Sequence, residues 1–121
     1  MKIDMIFYDR EGNPIAYSED GVHIYLYNGD PVGYIDADSI YSFSGDHLGW
    51  FNAGWILDHN GDCLFFMLNA RGGPLKPLAM LAPLKELKDL LPTKNTREIK
   101  PMVPTKNMDW SPLSLEKFFR L

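Results

Sequence analysis

Four glycines recur at near-constant intervals in the first half of the chain: Gly12, Gly29, Gly45 and Gly61 are spaced by 17, 16 and 16 residues. An Asn or Asp follows each of them. Glycine adopts positive φ without a Cβ clash, and Asn and Asp favour loops, so each site predicts the tight loop of a β-hairpin. Four successive hairpins give eight short strands in an up-and-down meander. The repeat therefore predicts a mainly β fold.

Apolar residues repeat at fixed distances from each glycine. Five and four places before it stand Phe7, Ile24, Ile40 and Ile56, and then Tyr8, Tyr25, Tyr41 and Leu57. Three and five places after it stand Ile15, Val32, Leu48 and Leu64, and then Tyr17, Tyr34, Trp50 and Phe66. The last two sets share a strand face because side chains alternate, so both are predicted to point inward. One hairpin cannot bury its apolar face alone, whereas four around a pseudo-fourfold axis can share a core. Closure is inferred from the number of copies, and an open or rolled meander would give the same columns. Residues 1–70 are therefore predicted to form a four-hairpin β-repeat domain.

A second pattern begins after residue 73. Residues 74–109 divide into twelve triplets, with proline frequent in the first place, leucine in the second and lysine or arginine in the third. A period of three is typical of the polyproline II helix. Residues 71–109 are therefore predicted to be an extended tail, with its leucine edge on the hairpin domain and its lysine edge facing solvent or the acidic residues of that domain. A straight rod of 36 residues would be roughly 110 Å long, so the tail must bend back on its own domain or cross to another subunit.

Part of this tail has an alternative interpretation. A short helix from Pro83 to Leu91 would place proline at its first position, where the missing N–H costs nothing, and Pro92 would end it. The sequence leaves both conformations of residues 83–91 open.

The last residues, 110–121, are predicted to form a short helix that anchors the C-terminus. Ser111 can cap this helix, with Pro112 at its first position. Phe118 and Phe119 would then share an apolar face with Leu115 and pack on the body of the domain.

Charge is divided unequally along the chain. Residues 1–70 contain two basic and eleven acidic residues, a net charge of −9, whereas residues 71–121 contain ten basic and five acidic residues, a net charge of +5. The two parts are expected to attract each other within one molecule or between molecules. Nucleic acid is disfavoured as a partner, because the first part repels phosphates and the bases of the tail are not interleaved with aromatic residues.

Composition also bears on the compartment. The chain has no apolar run of about 18 residues, so no membrane partner is predicted. The start, Met1 to Asp4, does not resemble a signal peptide. The single cysteine, Cys63, excludes an internal disulfide and any site that needs a cysteine pair. These features predict a cytoplasmic protein.

His47, His59 and Cys63 are the candidates for metal binding or catalysis. His47 and Cys63 both stand two places after a repeat glycine, so the fold would bring them onto adjacent hairpins. With neighbouring aspartates they would supply mixed metal ligands, and His59 with Cys63 would supply a base and a nucleophile. The alternative is that all three are structural residues near the hairpin loops. The spacing matches no established zinc pattern, so no metal site, catalytic residue or cofactor is predicted.

Aromatic residues form a candidate ligand surface. The set comprises Tyr25, Tyr27, Tyr34, Tyr41, Trp50 and Trp55. Aromatic walls suit a recess for a small molecule, a peptide or a sugar. The alternative is that these side chains fill the core, since short strands need large residues to do so.

Several segments resemble a known family. They are the run from Gly49 to Cys63, the segment from Gly72 to Pro77, and the terminal pairs Trp110-Ser111 and Phe118-Phe119. Together they resemble the bacterial 4-fold β-flower family over nearly the whole chain. The resemblance implies a flower of four β-hairpins, in agreement with the repeat, and it implies no activity, cofactor or catalytic residue.

The sequence therefore favours a non-enzymatic binding or assembly module of a bacterial cytosolic protein. Its expected partner is another copy of the chain or another protein. The first alternative is a small-molecule or peptide binder that uses the aromatic face. The second is a metal-binding or enzymatic site at His47, His59 and Cys63.

Overall fold

The computed structural model describes residues 4–121, in which eight strands close into one antiparallel barrel. Residues 1–3 lie outside this range. They begin the predicted 1–70 domain, and most of the segment used in the signal-peptide argument falls on them. Each strand pairs with the next, and Tyr8 pairs with Phe66 to close the ring. This confirms the predicted mainly β arrangement of four sequential hairpins. The elements are β1 (Met5–Tyr8), β2 (Pro14–Ser18), β3 (His23–Leu26), β4 (Pro31–Asp36), β5 (Ser39–Tyr41), β6 (His47–Asn52), β7 (Trp55–Leu57), β8 (Cys63–Phe66) and α1 (Leu115–Phe119).

Every hairpin carries the same β-bulge beside its loop. In the first hairpin Phe7 pairs with Ala16 and Tyr8 with Pro14, so Ile15 is skipped. The other three hairpins skip Val32, Leu48 and Leu64 in the same way. A bulge adds one residue to a strand and interrupts its alternation. The repeat glycines themselves have φ between 86° and 99°, as the loop prediction requires.

The bulge decides which side chains enter the barrel. All eight strands contribute to one core, through Phe7, Ala16, Ile24, Val32, Ile40, Leu48, Ile56 and Leu64, with Ile15 packed against it. The predicted convergence of the residues three places after each glycine is therefore confirmed. The prediction that the residues five places after it point inward is wrong, because the bulge separates the two sets. Tyr17, Tyr34, Trp50 and Phe66 lie outside this core.

The C-terminal helix closes the end of the barrel where the hairpin loops lie. Phe118 and Phe119 are both 3% exposed and belong to the barrel core. Gly49 makes room for Phe118, because a Cβ on Gly49 would lie 2.8 Å from the Phe118 ring. A Cβ on Gly33 would be in ordinary contact with the Phe119 ring, at 3.5 Å, but would lie 2.8 Å from the Tyr41 carbonyl oxygen. The cap is Ser114, whose hydroxyl accepts from the Lys117 N–H at 3.1 Å.

The predicted capping role of Ser111 is therefore wrong. Its hydroxyl donates instead to the Asp58 carboxylate at 2.6 Å, in a buried hydrogen bond. The helix begins three residues later than expected, because the chain must first reach the axis of the barrel.

Residues 74–109, here called the belt, wrap around the outside of the barrel. Within residues 71–109 the structure contains no helix or strand, so the helical alternative for residues 83–91 is wrong. Every ninth residue of the belt places its carbonyl oxygen against one of the four repeat glycines. The pairs are Leu78 with Gly12, Leu87 with Gly29, Thr96 with Gly45 and Thr105 with Gly61. The belt is thus four nonapeptides, 74–82, 83–91, 92–100 and 101–109, each docked on one hairpin.

Backbone hydrogen bonds repeat with the same interval. The N–H groups of Met80, Asp89, Glu98 and Asn107 donate to the carbonyls of the four glycines, at 2.8–3.0 Å. In the middle two nonapeptides, Glu86 and Asn95 make a second bond, to Tyr27 and Phe43. The equivalent residues in the outer two are Pro77 and Pro104, which have no N–H to donate.

Among residues 4–121, no helix has the length and apolar character needed to cross a bilayer.

Candidate functional site

An aromatic layer covers the outer wall of the barrel. It consists of Tyr8, Tyr17, Tyr25, Tyr34, Tyr41, Trp50, Trp55 and Phe66, all at most 8% exposed. Rings of neighbouring hairpins stack in the pairs Tyr17–Tyr25, Tyr34–Tyr41 and Tyr8–Phe66, with centroids 5.4–5.9 Å apart. The layer is buried although it lies outside the barrel, because the belt and its long side chains cover it.

Five of the six aromatic residues predicted to bind a ligand belong to this covered layer. Tyr27 is the exception, at the loop of the second hairpin, where it is half-buried and packs on Tyr17 at 5.0 Å. Of the six, Tyr34 lines the recess described below. The proposed alternative of an aromatic core holds only in part, since these rings form a second buried layer and not the interior of the barrel.

Basic side chains of the belt lie over these rings. Lys85 sits 4.6 Å from the Tyr17 centroid and Lys94 4.7 Å from that of Tyr34. Lys88, Arg97 and Lys100 lie 5.4–5.7 Å from Tyr25, Tyr41 and Trp50. A cation over an aromatic face is attracted by the ring quadrupole, by about 0.5–1 kcal/mol when exposed. All five contacts lie in the second and third nonapeptides, so they attach this half of the belt to the wall of the barrel.

Four of these five basic side chains also pair with acidic residues. Lys85 pairs with Asp4 and Glu19, Lys88 with Glu19, Arg97 with Asp36 and Lys100 with Asp38. Hydrogen bonds from Lys85 and Lys88 hold the pKa of Glu19 below its ordinary value. The two oppositely charged parts of the chain therefore attract each other within one molecule.

The leucine edge of the belt points the opposite way from the prediction. We define the leucine ridge as Leu75, Leu78, Leu81, Leu84, Leu87 and Leu90, which are between 89% and 97% exposed. The prediction that this edge lies on the hairpin domain is wrong. The wall beneath the belt is made of aromatic faces bordered by carboxylates. A lysine side chain can lie over a ring and pair with a carboxylate, whereas a leucine can only pack on the ring.

The ridge occupies half of the belt. The first two nonapeptides carry leucine at every second place of a triplet, whereas the last two carry Thr93, Thr96 and Thr105 together with Ile99, Met102 and Met108. Since each nonapeptide covers one hairpin, the leucines line two neighbouring quarters of the circumference. An exposed, continuous apolar stripe of this kind marks an interaction surface.

A recess opens between the second hairpin and the third nonapeptide. Its volume is about 590 Å³, and Tyr34, Asp36, Lys94 and Arg97 line it together with backbone of the belt. Two cations and an aromatic face suit an anionic, planar small molecule. Asp36 pairs with Arg97 at 2.5 Å, which leaves Lys94 as the base nearest the ring.

The structure brings His47 and His59 together, whereas the repeat pointed to His47 and Cys63 as the pair on adjacent hairpins. His47 Nδ1 lies 2.9 Å from His59 Nε2, and His47 Nε2 lies 3.1 Å from the Ser39 hydroxyl. Burial, with a smaller contribution from His59, lowers the pKa of His47 to about 4, so its ring is neutral near pH 7. A hydroxyl, a neutral imidazole and a second imidazole in a row form the arrangement that activates a serine nucleophile.

Access argues against catalysis at this cluster. Ser39 is 1% exposed and His47 2% exposed, and the rings of Tyr41 and Trp50 pack on His47 at 5.1 and 4.5 Å. A substrate cannot reach the hydroxyl without displacing the aromatic layer. The hydrogen bonds instead join the third hairpin to the fourth.

Cys63 is not part of this cluster. It packs with the aromatic residues of the first and fourth hairpins, and its thiol donates to the Asn107 carbonyl at 3.5 Å. Burial raises the pKa of Cys63 to about 11, which keeps the thiol protonated and unreactive near pH 7. Across the described part of the chain, no group of three or more His, Cys, Asp or Glu side chains is arranged to hold a metal ion.

Sequence reasoning missed two components of this surface. Ser39 lies in a column that holds Ile6, His23 and Trp55 in the other hairpins, so no pattern indicated it. The nonapeptide repeat did leave a signal, because prolines stand at residues 74, 83, 92 and 101. A period of nine within the triplets would have shown that one segment of the tail serves each hairpin.

The buried imidazole predicts a pH-dependent stability. The folded pKa of His47, about 4, lies below the ordinary value of 6.5, so the unfolded chain binds the extra proton first. Stability is then full above pH 6.5 and falls as the pH drops from about 6.5 to about 4, by about 3 kcal/mol at 1.36 kcal/mol per pKa unit. Urea unfolding of the wild type and of His47→Asn at several pH values measures this slope. The variant is expected to be nearly flat between pH 6.5 and 4.5, and equal slopes in both proteins would refute the assignment.

Comparison with known proteins identifies the family. The family model described as "4-fold beta flower protein" matches residues 5–119, which cover the barrel, the belt and the C-terminal helix. No curated protein and no solved structure matches the chain. The match agrees with the four hairpins that share one core and one belt. The chain therefore belongs to the 4-fold beta flower protein family.

Proposed function

We propose that this protein is a non-enzymatic binding or assembly module whose working surface is the leucine ridge. The observation that carries the proposal is the exposure of six consecutive ridge leucines, none below 89%. Burying a leucine contributes about 1.5–3 kcal/mol at about 25 cal/mol per Å², or roughly 100 Å² each. The ridge thus offers on the order of 600 Å², the upper end of the largest apolar patch on a typical monomer.

The charges of the molecule favour a protein as the partner. Five basic side chains of the belt are already engaged by aromatic rings, and four of these also pair with carboxylates of the barrel. The carboxylates neutralise four of these five bases within the molecule, and the net charge of −4 repels nucleic acid and anionic lipid alike. An apolar ridge without an available cationic border fits an apolar protein surface.

The compartment we propose is the bacterial cytoplasm. The support is the single cysteine, a buried thiol with no partner cysteine in the sequence, which suits a reducing environment. The family resemblance described above supports a bacterial source.

A second candidate function is the binding of a small anionic, aromatic molecule. The recess of about 590 Å³ beside Tyr34, with Lys94 and Arg97 at its wall, favours it. This candidate requires no change in the belt, because the recess is open in the structure.

Hydroxyl-radical footprinting tests the main proposal. The reaction is run on the protein at its natural level in a fresh extract of the source cells, and on the same protein in urea. If a partner covers the ridge, peptides containing Leu78 and Leu87 are expected to oxidise several-fold more slowly in the extract than in urea.

Ile99 supplies the internal control. It is 95% exposed but lies outside the ridge, so it is expected to oxidise at similar rates in both conditions. Ridge leucines that react in the extract as fast as in the unfolded chain would show that nothing covers them, and the proposed function would fail.

A further inference from the structure

The first two hairpins each carry a belt lysine over the same tyrosine of the repeat. Lys85 lies 4.6 Å from the Tyr17 centroid and Lys94 lies 4.7 Å from that of Tyr34. The two lysines are nine residues apart, one nonapeptide, and both tyrosines stand five places after a repeat glycine. The surroundings of the two lysines can therefore be compared directly.

In the first hairpin this lysine is held by two carboxylates. The pairing of Met5 with Ser18, extended by one residue, places Asp4 opposite Glu19 at the end of the hairpin away from the loop. Lys85 lies between them and pairs with both, with the Glu19 carboxylate at 2.8 Å. Its ammonium group is thus fully engaged within the molecule.

In the second hairpin neither position serves the lysine. The same extension of the register places Gly21 opposite Asp36. Gly21 has no side chain, and the Asp36 carboxylate pairs with Arg97 at 2.5 Å. Within residues 4–121, Lys94 forms no ion pair.

The other two nonapeptides do not repeat this situation. The equivalent residue of the first is Lys76, which donates to the carbonyls of Leu68 and Ala70 at 2.8 and 2.7 Å. The equivalent residue of the fourth is Val103, which carries no charge. In the described part of the chain, Lys94 is therefore the lysine of this column whose ammonium group has no acceptor.

The recess of about 590 Å³ adjoins this lysine. Lys94 and Arg97 line it from the belt, and Val22, which directly follows Gly21, lines it from the barrel. A Cβ added at Gly21 would meet nothing within 4 Å, so the space in front of this position is open. The volume lies within the roughly 300–1,000 Å³ that is typical of small-molecule sites.

We propose that the recess binds a small aromatic carboxylate, whose carboxylate group pairs with Lys94 as Asp4 pairs with Lys85. A carboxylate and an ammonium group form a strong, charge-assisted hydrogen bond. Tyr34 and Val22 supply apolar contact for the ring of the ligand. This inference rests on the second candidate function, to which it adds the anchoring residue and the class of ligand, and it does not depend on the leucine ridge.

The charges at the recess favour a monoanion. Arg97 is already paired with Asp36, so Lys94 offers one positive charge. A carboxylate matches that charge, whereas a phosphate monoester would bring a second negative charge close to Asp36.

Titration of the isotope-labelled, full-length protein with benzoate tests the site. Benzoate is expected to shift the backbone amide signals of Asn95, Thr96 and Arg97, with a dissociation constant on the order of 1 mM for a ligand of about nine non-hydrogen atoms. Benzamide has the same shape without the charge, and it is expected to bind at least about tenfold more weakly. Lys94→Gln is expected to weaken benzoate binding about tenfold, whereas Lys85→Gln is expected to leave it unchanged.

Gly21 provides a second pair of variants. Gly21→Asp supplies the carboxylate from within the chain, so it is expected to weaken benzoate binding about tenfold by occupying Lys94. Gly21→Asn has the same size without the charge and is expected to bind benzoate as the wild type does. Asp and Asn both tolerate the φ of +76° at this position, and amide spectra with the dispersion of the wild type show that the variants are folded.

The outcomes separate the ligand class from the recess itself. Benzoate binding that survives both Lys94→Gln and Gly21→Asp would overturn the assignment of Lys94, and so would equal losses in the two Gly21 variants. Phenyl phosphate that binds more tightly than benzoate at the same amides would overturn the carboxylate and leave the second candidate function in place. If neither molecule shifts these amides, both the inference and the second candidate function fail.

Discussion

Gly29→Ala is expected to lower the free energy of unfolding by about 3–4 kcal/mol, because this residue supports both the hairpin loop and the belt. Its φ of +95° costs an alanine about 1–2 kcal/mol. A Cβ at this position would also lie 2.1 Å from the Leu87 carbonyl oxygen, so the belt must move. Movement weakens the hydrogen bonds from Asp89 to Gly29 and from Glu86 to Tyr27, each about 1 kcal/mol.

Gly21→Ala is the matched control for this substitution. Gly21 also has positive φ, at +76°, but nothing lies within 4 Å of its added Cβ. It therefore isolates the backbone strain, and it is expected to cost only about 1–2 kcal/mol. Urea unfolding of the two variants beside the wild type gives the comparison. Equal losses would mean that the belt does not depend on its contact with the loop glycine.

Much of the barrel was predictable because its determinants are local. A glycine followed by Asn or Asp, as at Gly12 and Gly45, is by itself a local signal for a loop with positive φ. This signal located the hairpin loops correctly. The apolar residue five places before each glycine also lies in the core, because it precedes the bulge and keeps the simple alternation, but no face had been assigned to it.

The face of the later strand residues was not predictable from alternation alone. Each hairpin skips one residue, and in the first two these are Ile15 and Val32. An apolar side chain at this place looks like any other strand residue, and only the pairing across the hairpin shows that it is the extra one. The bulge sends Ile15 inward and leaves Tyr17 on the outer wall, so both were assigned to one face in error.

The orientation of the tail depended on a surface that the sequence did not reveal. Leucine edges normally cover a domain, and the prediction for residues 71–109 followed that rule. The outer wall, however, presents rings such as Tyr17 and Tyr34 beside acidic turns, and this combination selects lysine. Because these rings were expected inside the barrel, their presence on the outer wall was not foreseen. The belt edge that faces this wall was therefore predicted to be leucine instead of lysine.

The contacts of the candidate residues were not predictable from the repeat. The shared column suggested His47 and Cys63 as neighbours on adjacent hairpins, whereas the structure pairs His47 with His59. Whether such a pair is reactive depends on burial by the Trp50 ring and by the belt, and the belt is distant in sequence: Glu98 accepts from the His47 N–H. Long-range packing of this kind leaves no local signature.

The largest effect from a single side chain is expected for Phe119→Ala, with a loss of about 3–5 kcal/mol in the free energy of unfolding. Phe119 is 3% exposed, stacks on Phe65 at 6.2 Å and meets Phe118 at 4.9 Å. Its ring packs beside Gly33 in the core of the barrel. Removing it leaves a cavity that the closed strands cannot collapse to fill, so the lost transfer free energy and the cavity term add.

Leu121→Ala provides a control at the same terminus. Leu121 is 63% exposed, and its N–H bond to the Glu116 carbonyl does not involve the side chain, so the change is expected to stay within about 0.5 kcal/mol. Urea unfolding followed by tryptophan fluorescence reports on the whole barrel, because Trp50 and Trp55 lie in the aromatic layer. A Phe119→Ala loss no larger than that of Leu121→Ala would show that the helix rests on the barrel without closing it. A large loss with an unchanged dependence on urea would show that helix, barrel and belt unfold as one unit, as their shared contacts require.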